Sequence, residues 1–248
     1  MKALVLMAAE LGLACALLAG SAQASVTIGG TRVIYPLDQR EVTVKLANDS
    51  KNPSLVQVWM DDGNADSKPG EVKVPFVITP PIFRMEPGKT QTLRVIFSGD
   101  AGLPQDRESV YWLNVLDIPP KARPKPGVNS LQFAFRTRIK VFVRPRKLPG
   151  RVEEAPRQLQ WKLVAAPQGN GQALSVSNPT SYYVSFSEIN VVEGSQTWRN
   201  ETGGMVPPQG TAVIAVPKMQ AVSDKAIVRF TAINDYGGSL SGDAPLGQ

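Results

Sequence analysis

Asn129-Ser130-Leu131-Gln132-Phe133-Ala134-Phe135-Arg136-Thr137-Arg138-Ile139-Lys140-Val141-Phe142-Val143 decides how this 248-residue chain reads. Odd positions carry Leu131, Phe133, Phe135, Ile139, Val141 and Val143, while even positions carry Gln132, Arg136, Arg138 and Lys140. Alternation with a period of two predicts a strand with one apolar face. At roughly 3.3 Å per residue such a stretch spans about 50 Å, roughly twice a usual strand. A strand that long must overhang its own sandwich or serve two partners. Exposed and flat, it is an aggregation hazard unless another chain is meant to pair with its edge.

Working outward, strand-like segments recur upstream at Val26–Ile28, Glu41–Leu46, Ser54–Met60, Phe76–Thr79, Gln91–Phe97 and Ser109–Val115. Downstream they recur at Leu159–Ala165, Ala173–Val176, Tyr182–Ile189, Thr211–Val216 and Ile227–Ile233. Turn chemistry separates them, as at Asp61-Asp62-Gly63-Asn64 and Glu86-Pro87-Gly88. No window shows a sustained 3.6-residue apolar face, so any helix is a short connector. The sequence predicts an all-β chain of two β-sandwiches, residues 25–146 and 152–248, joined by a Pro/Gly-bounded hinge at 147–151. The Cys pair of antibody-type domains is missing, so packing alone must close the cores. Trp59 and Trp112 are expected as large fillers of the first.

Residues 1–24 read as a signal peptide. Lys2 supplies a positive start, Ala3 to Ala19 is apolar apart from Glu10, and Ala22 and Ala24 place small residues before a cut ahead of Ser25. Cys15 lacks the apolar residue three positions earlier that a lipid-attachment site prefers. The mature chain holds no cysteine and no other long apolar run, so export without membrane insertion is expected.

Composition excludes several chemistries. The chain has no His and one Cys, which removes Ser-His and Cys-His nucleophiles and zinc sites built on imidazole. Asp62-Gly63-Asn64-Ala65-Asp66 hints at a calcium loop, but Ser67 and Lys73 stand where Gly and Glu are required. No metal, no cofactor and no enzyme activity are expected. Residues 121–151 hold ten Lys and Arg and no acid, so the rest of the mature chain is acidic although the whole carries +6. No aromatic–basic interleaving for bases accompanies this block, so nucleic acid is not the expected partner. Lys140 is the unusual member, a cation inside an apolar strand.

These residues resemble the periplasmic chaperones of the chaperone–usher pilus pathway. The resemblance rests on Thr31-Arg32-Val33-Ile34-Tyr35-Pro36, Pro75-Phe76-Val77-Ile78-Thr79-Pro80-Pro81 and Arg84-Met85-Glu86-Pro87-Gly88. It continues through Arg107-Glu108-Ser109, Asn114, Ile118-Pro119-Pro120, Arg138 to Phe142 and Arg144-Pro145. Asn178-Pro179-Thr180 and Asn234-Asp235-Tyr236-Gly237-Gly238 carry it into the second domain.

The resemblance implies two immunoglobulin-like domains in an L with a cleft between them. It implies that Arg32 and Lys140 bind the C-terminal carboxylate of a pilin subunit. Leu131, Phe133 and Phe135, with Asn129 as a further contact, match the residues that such chaperones lend to a pilin lacking its last strand. Glu108, Arg144 and Asp235 match a charged trio linking the domains. The short, disulfide-free loop at 121–128 goes with chaperones of rod-like or simple pili. Implied partners are pilin subunits in 1:1 complexes and an outer-membrane usher, in the periplasm; self-association of the unloaded chain stays open. The rival reading is a secreted β-sandwich adhesin or structural pilus subunit. A subunit would usually be one domain, would carry a Cys pair, and would lack the combination of Arg32 and Lys140.

Overall fold

A computed structural model describes residues 26–99, 102–121, 131–166, 171–219, 222–223 and 225–247. The expected signal peptide, Asn129 and nearly all of the loop at 121–128 lie outside the described residues. Among the described residues, nine strands build the first sandwich: β1 (Val26–Ile28), β2 (Arg32–Pro36), β3 (Glu41–Asn48), β4 (Ser54–Asp61), β5 (Phe76–Thr79), β6 (Ile82–Met85), β7 (Thr90–Phe97), β8 (Ser109–Ile118) and β9 (Phe135–Arg144). One sheet is ordered β1-β3-β7-β5 and the other β2-β9-β8-β4-β6. Every pair is antiparallel except β2 with β9.

A 3-10 turn at Val152–Gln158 leads into the second sandwich. Its strands are β10 (Gln160–Ala165), β11 (Gln172–Asn178), β12 (Val184–Glu193), β13 (Gln196–Asn200), β14 (Gly204–Val206), β15 (Gly210–Ala215), β16 (Ile227–Ile233) and β17 (Ser239–Gly247). They run β13-β12-β16-β17-β10-β11-β15, with β14 also on β12. A short parallel contact, Trp161↔Leu246 and Lys162↔Gly247, joins the two halves.

Strand parity builds both cores. In β7, Leu93 and Val95 are fully buried while Thr92 and Arg94 alternate away from them. Val56, Val58 and Met60 of β4 meet Leu113 and Val115 of β8 and Val141 and Val143 of β9 in the same core. Tyr35 is also fully buried, and its hydroxyl donates to the Arg40 carbonyl at 2.9 Å and accepts from the Phe97 N–H at 3.0 Å. In the second core Trp161 packs against Phe186 and Phe230.

Two expectations are corrected. Trp59 and Trp112 do not fill the first core. They share the parity of Asp61 and Asn114, opposite to Val58 and Leu113, so they stand on the outer face under Arg136 and Arg138. The long strand expected from Leu131 begins at Phe135. The last ladder pair is Asp117↔Phe135, and beyond it Ile118 is followed by Pro119 and Pro120, which have no N–H to continue the ladder. Strand β17 was also not anticipated. Its Ser-Leu-Ser-Gly-Asp-Ala-Pro-Leu-Gly sequence has weak intrinsic strand preference, yet it pairs with β16 over seven positions. Gly242 is required there, since a Cβ would lie 2.7 Å from the Phe230 ring.

Candidate functional site

The pairing of β9 changes along its length. It pairs with β8 from Phe135 to Val143, but with β2 only from Lys140 to Arg144. Among the described residues its second edge is therefore unpaired from Phe135 to Ile139, and Leu131 to Ala134 lie beyond both ladders. A side-chain hydrogen bond from Gln132 Nε2 to the Pro119 carbonyl at 2.6 Å tethers that leading segment. The apolar residues here face water: Leu131 is 86% exposed, Phe133 63% and Phe135 62%. Such exposure forgoes about 1.5–3 kcal/mol per side chain relative to burial.

The free edge starts beside two cations. Arg32 and Lys140 are direct Cα partners in the parallel ladder. Arg32 Nη1 donates to the Ile233 carbonyl of the second sandwich at 2.9 Å, and its guanidinium lies 5.6 Å from the Phe142 ring centre. Its Nε is buried without a hydrogen-bond partner among the described residues. Lys140 Nζ reaches Ser185 Oγ at 3.3 Å, also across the domain boundary. Among the described residues no carboxylate pairs with either cation. Burial holds the Lys140 ammonium below its usual range, and neighbouring Arg32 adds to the effect. Burial likewise lowers Arg32, against the opposing pull of Asp235 and Glu108. Two desolvated like charges side by side are chemically suited to one anionic group. The recess around them is lined by Thr31, Trp112, Arg138, Ser187, Ile233 and Gly237.

Further along the same face of β9, Arg144 closes the interface between the sandwiches. Its Nε donates to Glu108 Oε1 at 2.6 Å, Nη1 to Asp235 Oδ2 at 2.6 Å and Nη2 to Asp235 Oδ1 at 2.9 Å. Glu108 Oε2 accepts the Tyr183 N–H at 2.8 Å, so both acids reach across the boundary. Burial raises the Glu108 carboxyl despite Arg144, whereas Arg144, shared by two acids, is held firmly charged.

Sequence reasoning missed the support behind β9. Arg138 stacks 4.5 Å from Trp112 and donates from Nε to buried Asp61 Oδ2 at 2.9 Å, with a second, short contact from Nη2 to Oδ1. Arg136 stacks 4.8 Å from Trp59 and donates to Asn114 Oδ1 at 2.9 and 2.7 Å. Asn114 Nδ2 in turn donates to Asp61 Oδ2 at 2.8 Å. Burial works to raise Asp61, but hydrogen bonds from Arg138, Asn114 and the Gly63 N–H outweigh it and hold the carboxyl below its usual range. The available signal was parity: alternate cations on β9 face alternate aromatic and polar residues on β4 and β8. This ladder fixes the strand that carries Lys140.

Among the described residues there is no cluster of three or more His, Cys, Asp and Glu that could hold a metal. No described helix is long and apolar enough to cross a membrane.

Residues 25–149 match the family model of the pili and flagellar-assembly chaperone, PapD N-terminal domain. Residues 154–244 match that of the pili assembly chaperone PapD, C-terminal domain. The chaperone protein FimB/FhaD of Bordetella pertussis is 45% identical over 224 residues, covering 89% of this chain and 88% of that protein. The probable fimbrial chaperone YadV of Escherichia coli is 42% identical over 234 residues, 94% of each chain. The crystal structure of YadV superposes with a TM-score of 0.76, covering 90% of this chain and all of that one. A Salmonella enterica SafA pilin–SafB chaperone complex matches with a TM-score of 0.73 at 26% identity, covering 92% of this chain and 99% of the matched one. With both sandwiches matched in order along one chain, this protein belongs to the pilus-assembly chaperone family.

Proposed function

We propose that this chain captures pilus subunits by gripping the subunit's C-terminal carboxylate between Arg32 and Lys140 while residues 131–139 complete the subunit's sandwich. The carrying observation is positional: β2 begins at Arg32, opposite Lys140, so the second edge of β9 is free immediately before Lys140. A carboxylate held there sets the register of everything paired beside it.

The two cations supply charge-assisted hydrogen bonds of about 1.5–3 kcal/mol each, reduced by desolvation. Burying Leu131, Phe133 and Phe135 in the guest's groove contributes roughly 5–9 kcal/mol together. The apolar side chains supply most of the affinity and the cations supply position. The SafB relative crystallised with the SafA pilin supports a pilin as guest.

The full reading is a non-enzymatic periplasmic chaperone. Residues 1–24 are cleaved after Ala24, and residues 25–146 and 152–248 act as two domains about the 147–151 hinge. Each molecule caps one pilin and passes it to an outer-membrane usher, and the unloaded edge is open to self-association. Family membership counts against the adhesin or structural-subunit alternative.

Coexpression with a candidate pilin and affinity recovery from periplasmic extract tests the clamp. Lys140→Glu is expected to recover no pilin while the chaperone itself stays folded; a normal yield from that variant overturns the reading.

A further inference from the structure

Three cations line the recess in which the guest's carboxylate is proposed to sit: Arg32, Lys140 and Arg138. Among the described residues the first two have no carboxylate partner. Arg138 has one. Its Nε and Nη2 engage both oxygens of Asp61, whose side chain is fully buried.

The pairing runs diagonally across the sheet. Arg138 stands on β9 opposite Asn114 of β8, whereas Asp61 lies on β4 opposite Trp112. The guanidinium therefore lies over β8, stacked 4.5 Å from the Trp112 ring, and is turned away from the free edge of β9. Asp61 both neutralises this cation and draws it toward the middle of the sheet. Trp112 also stands between Asp61 and Lys140 in their common row, so the acid does not serve Lys140 as well.

Strand parity makes this counterion matter. Arg138 precedes Lys140 by two residues and shares its face of β9. A one-residue slip of a paired strand turns every side chain to the wrong face, but a two-residue slip turns none. The apolar side chains of a guest thus resist an odd slip and tolerate a slip of two. What separates the even registers is where the carboxylate meets unpaired cations.

We infer that Asp61 determines the guest's register: by occupying Arg138 it leaves Arg32 and Lys140 as the described cations of the recess open to a carboxylate. It touches no guest atom and acts through Arg138, as a positioning residue. This rests on the Arg32–Lys140 reading and supplies a reason why the tail stops there and not two residues earlier.

Disulfide trapping tests it. The full chain is expressed with Cys15→Ser, which removes its one cysteine, and with Thr137→Cys on the free edge. The probe is a synthetic dodecapeptide of alternating Val and Thr behind two Lys, with one Cys placed at successive positions, made as free acid and as C-terminal amide. A bridge needs Cα atoms within about 7 Å, and a two-residue slip carries a neighbour about 6.6 Å along the strand. With Asp61 present, one Cys position of the free acid is expected to dominate by about tenfold, and the amide to lose that preference. In Asp61→Asn a second position, two residues nearer the peptide's C-terminus, is expected to rise to within about threefold of the first. Adding Arg138→Gln is expected to restore the single position. Arg138→Lys keeps Asp61 but loses the planar fork and the stack; it is expected to raise the second position too, and decides the matter if Asp61→Asn does not fold. A single position in every variant that still melts cooperatively, or a second one that persists without Arg138, overturns the Asp61 assignment and leaves the clamp standing. Equal trapping of acid and amide in the parent chain overturns the clamp and this inference with it.

Discussion

Arg144 and Asp235 meet fork to fork across 91 residues of chain, Nη1 to Oδ2 at 2.6 Å and Nη2 to Oδ1 at 2.9 Å. The same guanidinium holds Glu108 on its own sandwich. One side chain therefore fastens the two domains a short way down β9 from Lys140.

Arg144→Ala leaves Glu108 buried without its cation. Removing one partner of such a network costs about 3–5 kcal/mol. Urea unfolding should show that loss together with separated transitions for the two sandwiches. A single transition at the wild-type midpoint would falsify the interface role.

Lys140→Met should act in the opposite direction on the unloaded protein. A buried ammonium opposite Arg32 is unfavourable in the free chain, and like charges directly across a ladder cost about 0.2–1 kcal/mol. The variant is expected to melt slightly higher than wild type while recovering no pilin. Reduced stability with retained capture would show that Lys140 serves the fold and not the guest.

Phe133→Ser removes an apolar side chain that is already in water, so unloaded stability should not change. Its loss from a guest interface of about 1.5–3 kcal/mol corresponds to a roughly tenfold to 150-fold weaker complex. Competition between variant and wild type for one denatured pilin preparation reads this ratio directly. Equal partition counts against strand donation.

Two buried acids give opposite pH dependences. Asp61 is held below its unfolded value of 3.8, so its contribution to stability is present above that value and fades as pH falls through the lower folded one. Glu108 is raised above 4.5, so its contribution is complete below 4.5 and declines as pH rises through the higher folded value. Stability of Asp61→Asn relative to wild type should therefore improve below about pH 3.8, and that of Glu108→Gln should improve as pH climbs past 4.5. Chemical denaturation across pH 3–7 measures both slopes, and identical slopes in variant and wild type would exclude the assigned shifts.

The strands with strict alternation, such as β7, were legible because their buried faces are written into a period of two. Lys140 stood out locally as a cation inside an apolar strand, whereas Arg32 was singled out only through resemblance; their pairing across the parallel ladder is a tertiary fact. The stacks of Arg136 on Trp59 and Arg138 on Trp112 were not legible. Parity groups the residues of one strand, but it does not say which group faces the core.

The amino-acid sequence by itself determined the all-β class, the absence of His and of any Cys pair, and the apolar alternation around Phe133. Those follow from composition and local period, which need no knowledge of neighbours. Tertiary structure alone decided that β2 begins opposite Lys140, that the β8 ladder ends at Phe135, and that Asp235 reaches Arg144. Each is a pairing between segments distant along the chain, and a free edge exists only where such a pairing ends.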